Sequence, residues 1–535
     1  MKSSFQTNKI LGKDWLRYHP YSNPTFIDNY YITLCNKVLK IIQETEISDF
    51  IDTAKEEKEL TCVLVSYFED IISETHLFSA FTRRHKKMYG KELPFYEIPD
   101  EYYSDEINLQ DIFFLIWYNI SVNNEEIFID PFFENCQEFN DAVLEIYNLF
   151  DSEFEKAPQN ENLQNFLQLP ANSDVKTIRE KLSFIACDSF LYNTIFTVFF
   201  EEVLDEYREN DTIVFDKQRE LESYDRKIKF IFNECMPLLA MRANEYYAEM
   251  LGEEHPEYQF IKNISKRIFG SFLLLKIESD GFLVEHLTSK KQLRISNEFT
   301  SLQIDKLVEN ETVLSIGLVE WKNNIWQNQG GCLVSTLEKM KEIGVSEHIF
   351  DDENKKKEFT YKFEKTFLEI TKGKHIVYFR GKQALAEFYL KLMRKQAKIA
   401  KPKITDKELD ELYKDTITNI KKDLPFENDE TIGIFFNPNS GIEFYRGIVS
   451  CMPDKYNPYY ADEIFDFCDL VTIETFSPEF VNYIIDNKLV NLSVKDYKNP
   501  DLYNIMMKNL DFLLRFYRRS LYFSKPEVTI DNDNT

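Results

Sequence analysis

TCVLVSYFEDIISETHLFSAFTRRHKKMYGKELPFYEIPDEYYSDEINLQDIFFLIWYNIS, residues Thr61–Ser121, is the stretch on which the reading of this chain turns. Leu60, Leu64, Phe68, Ile71 and Ile72 recur at helical spacing, so a helix is expected from near Lys58. The same pattern can run on through Phe78 and Phe81 to Tyr89, where Gly90 supplies a stop. Leu93-Pro94-Phe95-Tyr96 is extended, because the residue before proline is biased out of the helical region. Asn108 and Asp111 then mark the start of a second apolar helix, Ile112 to Val122.

Carboxylates interrupt these apolar faces. Glu69, Ser73 and His76 fall at i, i+4 and i+7, one face of a continuous helix, and Asp70 and Glu74 share the neighbouring face. Were Asp105 and Glu106 to fold back against that face, several oxygens and an imidazole would converge. Hard divalent ions take such oxygen-rich sites, and a general acid–base pair is built from the same parts. Glu69, Asp70 and His76 are therefore the candidate catalytic residues, and Glu69, Asp70, Asp105 and Glu106 the candidate ligands of a divalent metal. A plainer alternative has Arg83 and Arg84 neutralising the carboxylates structurally, with Asp111 as a helix-start residue. No H-E-x-x-H, G-x-S-x-G or phosphate-loop motif occurs, and the histidines are scattered.

Working outward, the first 251 residues hold only Gly12 and Gly90 as glycines, which argues for helices joined by polar loops. Lys13 to Pro24 is expected to be an irregular lead-in, followed by a helix from Thr25 through Gln43. Gln159 to Asp174 is the best surface-loop candidate, and Val175 to Glu206 is apolar enough to be central to a bundle. Near Lys266 the texture changes. Short β-prone runs follow, punctuated by Ser279-Asp280-Gly281, Ser289-Lys290-Lys291 and Gly330-Gly331, as in a small antiparallel barrel of SH3-like or OB-like kind. Trp321 and Trp326, with Lys290 and Lys291 nearby, are the candidate partner-binding residues of that barrel.

Asp351 to Lys357 is a charged linker, and two strands follow, His375 to Phe379 and Thr431 to Phe436. Ile376 to Tyr389 and Ile432 to Tyr445 share Ile, Phe and a terminal Glu-Phe-Tyr, which permits two strand–turn–helix units in a parallel βαβ arrangement. The expected architecture is multidomain α+β: an all-α N-terminal bundle (1–265), the small barrel (266–345), a mixed α/β C-terminal region (346–524) and a disordered tail (525–535).

Composition narrows the function classes. A hydrophobic content of 43% with 15% aromatic fits a folded chain, and a net charge of −27 repels phosphate backbones and anionic lipid. Nucleic acid is thereby disfavoured as a partner. No 18-residue apolar span is present, so no membrane crossing is expected. Eight scattered cysteines without a C-x-x-C pair read as reduced thiols, and the N-terminus lacks an apolar signal core, so a cytoplasmic location is expected.

KDWLRYHPYSNPTFIDNYYITLCNKVL (Lys13 to Leu39), with the later YFEDIIS, YGKELPFY and DEINLQDIFFLIWY, resembles uncharacterised bacterial proteins grouped as a domain of unknown function. The resemblance spans residues 13–120 and implies a bacterial cytoplasmic origin without an assigned activity. The sequence thus leads to a non-enzymatic interaction or adaptor protein with an unidentified protein partner and no cofactor. A carboxylate-based metal-dependent hydrolase and a nucleic-acid-binding barrel are the alternatives.

Overall fold

The computed structural model describes residues 9–131, 137–209, 216–298, 307–322, 324–344, 353–423, 427, 429–494 and 501–522. The expected tail, 525–535, lies outside them. The fold is mixed α+β, with helices filling the N-terminal half. Two compact units divide the chain, 1–350 together with 504–535, and 351–503. The helical region and the sheet that follows it thus belong to one unit. So does the last helix, which the sequence grouped with the C-terminal region.

The first unit opens with helical turns at Gly12–Trp15 and Leu16–Tyr18, where an irregular lead-in was expected. Helix α1, Phe26–Glu44, begins at a reciprocal cap. The Asp28 amide donates to Thr25 Oγ1 at 3.3 Å, and the Thr25 amide donates to Asp28 Oδ2 at 2.6 Å. Helix α2, Ala54–Ile72, buries most of its length, Glu69 and Asp70 included. It stops there instead of running on to Tyr89. Glu74 and His76 take left-handed backbone angles, and α3, Leu77–Tyr89, starts afresh. The cause is Asp70, whose carboxylate accepts from the free amides of Leu77 and Phe78, each at 2.8 Å, and from the Thr75 hydroxyl. A helix N-terminus with four orphan amides favours an anion there, and Asp70 supplies one from the preceding helix.

Helix α4, Leu109–Asn123, is buried on every side from Asp111 to Val122, so it, and not the 175–206 stretch, is the hub. That later stretch bends by 84° between Val175–Asp188 and Asn193–Arg208, after a π-helical turn at Phe184–Asp188. The Asn193 side-chain Nδ2 donates to the Cys187 carbonyl at 2.7 Å, meeting a group that the break leaves unpaired. No single helix among the described residues is long and apolar enough to cross a membrane. Helices α5 (Asn193–Glu209) and α6 (Asp216–Asn233) lead to the sheet.

Strands β1 (Ile268–Glu278), β2 (Gly281–His286), β3 (Gln292–Ser296), β4 (Thr312–Glu320) and β5 (Ile325–Thr336) pair in the order β1-β2-β3-β5-β4. β1 also bonds β4, so the sheet closes on itself. Phe272, Leu274, Phe282, Val284, Leu293, Ile295, Leu314, Ile316, Leu318 and Trp326 fill its interior. Not every pair is antiparallel as expected. β3 and β5 run parallel, through Arg294 opposite Ile325 and Ile295 opposite Trp326. At Gly281 the demand is for space: a Cβ there would overlap the Ile295 carbonyl oxygen. At Gly330, φ is +111°, and the Gly330-Gly331 pair forms the irregular step where Ile316 and Leu318 face Cys332 and Asn328. Arg267 lies across this step, donating from Nε to the Gln329 carbonyl at 2.7 Å and pairing with Asp225.

The last helix of the unit, α9 (Leu510–Tyr517), seats Phe512 and Phe516 against Trp117, with centroid distances of 6.1 and 5.1 Å. Asp511 accepts from Tyr89, Tyr522 and Arg515, which ties this helix to α3. The second unit holds α7 (Glu353–Thr371), which starts inside the expected 351–357 linker, then β6 (Ile376–Arg380), α8 (Gly381–Ala400), β7 (Thr431–Asn437) and β8 (Gly441–Arg446). Strands β6, β7 and β8 form an antiparallel sheet in the order β6-β7-β8, not a parallel βαβ pair. The two similar segments diverge for a local reason. Gly381 opens a helix, whereas Asn437-Pro438-Asn439-Ser440-Gly441 makes a hairpin turn, so Glu443-Phe444-Tyr445 lies in a strand.

Candidate functional site

Glu69 is the centre of a buried polar network that its neighbours in sequence do not form. His19 Nε2 lies 2.9 Å from Glu69 Oε2, and the Asn160 side-chain amide donates to Glu69 Oε1 at 2.9 Å. The other ring nitrogen of His19, Nδ1, lies 3.1 Å from the Trp15 carbonyl oxygen. Both ring nitrogens face oxygen acceptors, an arrangement that favours the doubly protonated imidazolium. Burial alone would push His19 down, but the Glu69 carboxylate, with Asp28 behind it, outweighs burial and raises it. The Asn160 amide also donates to Tyr21 Oη at 2.6 Å, and Tyr21 donates to Asp28 Oδ1 at 3.2 Å. Trp15 Nε1 donates to the same Asp28 oxygen at 3.0 Å.

Both ring nitrogens are engaged by oxygens within the protein, which leaves neither free for a substrate. The arrangement is a clamp: it fastens the lead-in and the Asn160 turn to α2 by charge-assisted hydrogen bonds. His19 and Asn160 are the residues that the sequence did not nominate. They lie 50 and 91 positions from Glu69, with no spacing rule to connect them. Asn160 was assigned to a surface loop, yet it is fully buried and caps the helix Glu161–Leu167.

The other nominated residues lie apart from this network. Asp70 caps α3, and burial raises its carboxyl against its hydrogen bonds from Thr75, Phe78 and Leu77. His76 is exposed, and its Nδ1 is 3.5 Å from Ser79 Oγ. Because the chain breaks at Ser73 to His76, Glu69 and His76 do not share a helical face. Asp105 and Glu106 are exposed. Among the described residues no group of three or more His, Cys, Asp or Glu side chains is placed to hold a metal ion. Arg83 donates to Ser79 Oγ at 2.7 Å and to the Glu249 carbonyl at 3.2 Å, and Arg84 lies 3.8 Å from the Glu249 carboxylate. None of these contacts is to Glu69 or Asp70.

Asp111, read as a helix-start residue, is more than that. It accepts from Tyr67 at 2.7 Å, Tyr102 at 3.0 Å and Asn108 Nδ2 at 3.1 Å. Burial pushes its carboxyl up to about 7, against those three hydrogen bonds. In the second unit, Asn437 Nδ2 bridges Glu443 Oε1 and Glu479 Oε2 at 2.8 and 3.2 Å, and Ser477 donates to Glu443 at 2.7 Å.

In the closed sheet, Trp326 is buried in the core and Trp321 packs edge-on against Phe260 at 5.2 Å. Lys290 lies 3.4 Å from Glu285, and the Lys291 amide donates to Ser289 Oγ at 3.4 Å. The four residues nominated for partner binding therefore do not make one exposed platform. A different surface stands out on β5. Leu333 and Val334 are 67% and 54% exposed, and Ile343 on the following helix is 66% exposed. β3 ends at Ser296, so among the described residues β4 is the one strand paired with Asn328–Thr336.

No curated protein and no solved structure matches this chain. A family model described as "Protein of unknown function (DUF3843)" matches residues 9–310, a span that takes in the His19–Glu69–Asn160 clamp, the α4 hub and strands β1 to β3. The chain belongs to that family of unknown function.

Proposed function

We propose that this protein is a non-catalytic interaction protein, and that its closed sheet is a small barrel of OB-like rather than SH3-like kind, presenting the outer end of β5 to a protein partner. The strand order, with β4 entering between β1 and β5 and a parallel β3–β5 contact, supports the OB-like alternative. One observation carries the binding reading: a strand edge and exposed aliphatic side chains coincide at Leu333-Val334. An open edge offers backbone donors and acceptors, and alternating apolar side chains beside it select the sequence that pairs there. The occupant that fits is an extended peptide segment adding a strand to β5.

The alternatives draw less support. The front carboxylates are engaged internally, Glu69 by His19 and Asn160 and Asp70 by the α3 amides, which removes the open acid–base pair that a hydrolase needs. The outer side of β2 and β3 is largely self-neutralised, with Lys290 near Glu285 and Arg294 between Glu278 and Asp280. An oligonucleotide asks for unpaired cations and exposed rings there.

Selection of a random peptide library against the full chain tests the proposal. It should enrich extended sequences with apolar residues at alternate positions. Their binding should fall about tenfold or more in Leu333→Lys, with the unfolding temperature unchanged. Failure to enrich any sequence, or binders indifferent to Leu333→Lys and Val334→Lys, would end the proposal.

A further inference from the structure

The part of β5 open to a docked strand has a closed end, and the group that stands there restricts the occupant. Gln327, Asn328 and Gln329 are 4%, 7% and 0% exposed, whereas Leu333 and Val334 stand in solvent. The lane beside β5 therefore opens only at Gly330-Gly331. Helix α6 packs on β5. It is fastened to the start of β1 by Asn233, whose Nδ2 donates to the Arg267 carbonyl at 2.9 Å and whose Oδ1 accepts from the Arg267 amide at 2.7 Å. From this anchored helix Asp225 reaches the end of the lane, where its Oδ1 accepts from the Gly331 amide at 3.3 Å and from the Arg267 guanidinium. A strand laid along residues 332–336 meets covered backbone beyond Gly331, so a chain that ends there fits better than one that runs on.

The charge at the closed end selects which chain end. The Asp225 side chain is 32% exposed, and among the described residues its second oxygen, Oδ2, has no hydrogen-bond partner. An α-ammonium arriving there gains a charge-assisted hydrogen bond, and a carboxylate meets a like charge. Arg267 does not reverse this preference. Its side chain is 3% exposed and already donates to Asp225 and, at 2.7 Å, to the Gln329 carbonyl. The net charge of −27 acts in the same sense at longer range, drawing in a cationic chain end and repelling an anionic one.

We propose that the segment taken up by the β5 edge is the free amino terminus of a partner protein, its α-ammonium on Asp225 Oδ2 and its first residues paired with residues 332–336. On the strand-addition reading above, on which this depends, any extended segment docks; Asp225 restricts docking to chain ends that carry an amine. The direction follows. With its amino end at Gly331, the added strand runs parallel to β5, as β3 already does at Arg294 opposite Ile325 and Ile295 opposite Trp326. Capture of an amino terminus adds a single strong point of register to backbone pairing that is otherwise free to slip.

The test is fluorescence anisotropy of the peptide Val-Thr-Val-Thr-Val-Lys, amidated at its carboxyl end and rhodamine-labelled on the lysine side chain, titrated with the full chain near pH 6.5. The free-amine form should bind saturably, and Nα-acetylation should weaken it by about tenfold or more. Leu333→Lys should weaken both forms alike. The acetyl penalty should vanish in Asp225→Asn, and because it is a ratio taken within one variant, a loss of stability in that variant does not imitate the effect. It should vanish in the parent too at about pH 9.5, above the ordinary α-amino value of about 8, a measurement that needs no substitution. Equal binding of the two forms, with both lost in Leu333→Lys, would overturn the amino-terminal proposal and leave strand addition standing. So would an acetyl penalty that persists in Asp225→Asn, or tighter binding of an acetylated Lys-Val-Thr-Val-Thr-Val that ends in a free carboxylate. Absence of binding by every form at about 1 mM chain, or binding indifferent to Leu333→Lys, would overturn strand addition and this proposal with it.

Discussion

Replacing Asp111 by asparagine should change how the stability of the first unit depends on pH, and the sign is fixed by the geometry. The folded carboxyl sits at about 7, against an ordinary value of 3.8, because burial disfavours its ionised form. Its folded value is raised, so the folded state holds the proton that the unfolded state has released between those two values. Stability is then fully present below pH 3.8 and falls as pH rises toward 7. At about 1.4 kcal/mol per unit, the full window is worth about 4 kcal/mol, and the part between pH 5 and pH 7.5 about 3 kcal/mol. All four tryptophans, Trp15, Trp117, Trp321 and Trp326, belong to the unit that contains residues 1–350. Tryptophan emission during urea unfolding therefore reports that unit alone. Asp111→Asn cannot ionise, and the cost of its altered hydrogen bonds with Tyr67, Tyr102 and Asn108 does not vary across this range. The stability of the parent relative to Asp111→Asn should fall by about 3 kcal/mol from pH 5 to pH 7.5. A gap that stays constant, or that widens in favour of the parent as pH rises, would refute the reasoning.

The clamp gives a second pH signature. His19 is raised in the folded state, so its contribution is complete below its ordinary value and is lost as pH rises through the raised one. The gap between the parent and His19→Gln should be widest in acid and close on the alkaline side. Glu69→Gln leaves a buried imidazolium without its partner and should cost about 3–5 kcal/mol in the same urea assay near pH 6. In the closed sheet, Gly317→Ala places a Cβ into the Arg267 guanidinium, so it should cost about 1–3 kcal/mol. Much of that cost should vanish in an Arg267→Ala background, read as a double-mutant cycle. Phe512→Ala empties a space among Phe81, Phe95, Phe114 and Trp117, which should cost about 3–5 kcal/mol and alter Trp117 emission.

The legible parts of this fold are those where local chemistry and burial agree. Thr25 and Asp28 announce the start of α1, and the capping pair is there. The scarcity of glycine before residue 252 matches helices, and the β-prone runs after Lys266 match strands. Where tertiary contacts compete, periodicity misled. The apolar spacing from Leu60 to Phe81 is continuous, yet the chain turns at Ser73 to His76, because the next helix draws Asp70 into its free amides. Nothing in the spacing distinguishes a carboxylate on a helix face from one that caps a neighbouring helix. Gly281 is a similar case. The sequence offered it as turn chemistry, whereas what it answers is the close approach of β3.

The site was less legible than the fold, for a reason that Glu69 makes plain. A buried carboxylate must find partners, and helical spacing suggests looking three, four or seven residues away. The partners here arrive from 50 and 91 residues away, on a short turn and a helix cap whose sequences carry no ligand pattern. The match to the family of unknown function ends at residue 310, before β4 begins at Thr312. β1 bonds β4 along Ile268 to Leu273, so a chain ending there would leave β1 with an open edge and the sheet core without Leu314, Ile316, Leu318 and Trp326. The cooperative unit must therefore extend through β5. The matched span carries the clamp, while the β5 edge lies in the part of the chain beyond it.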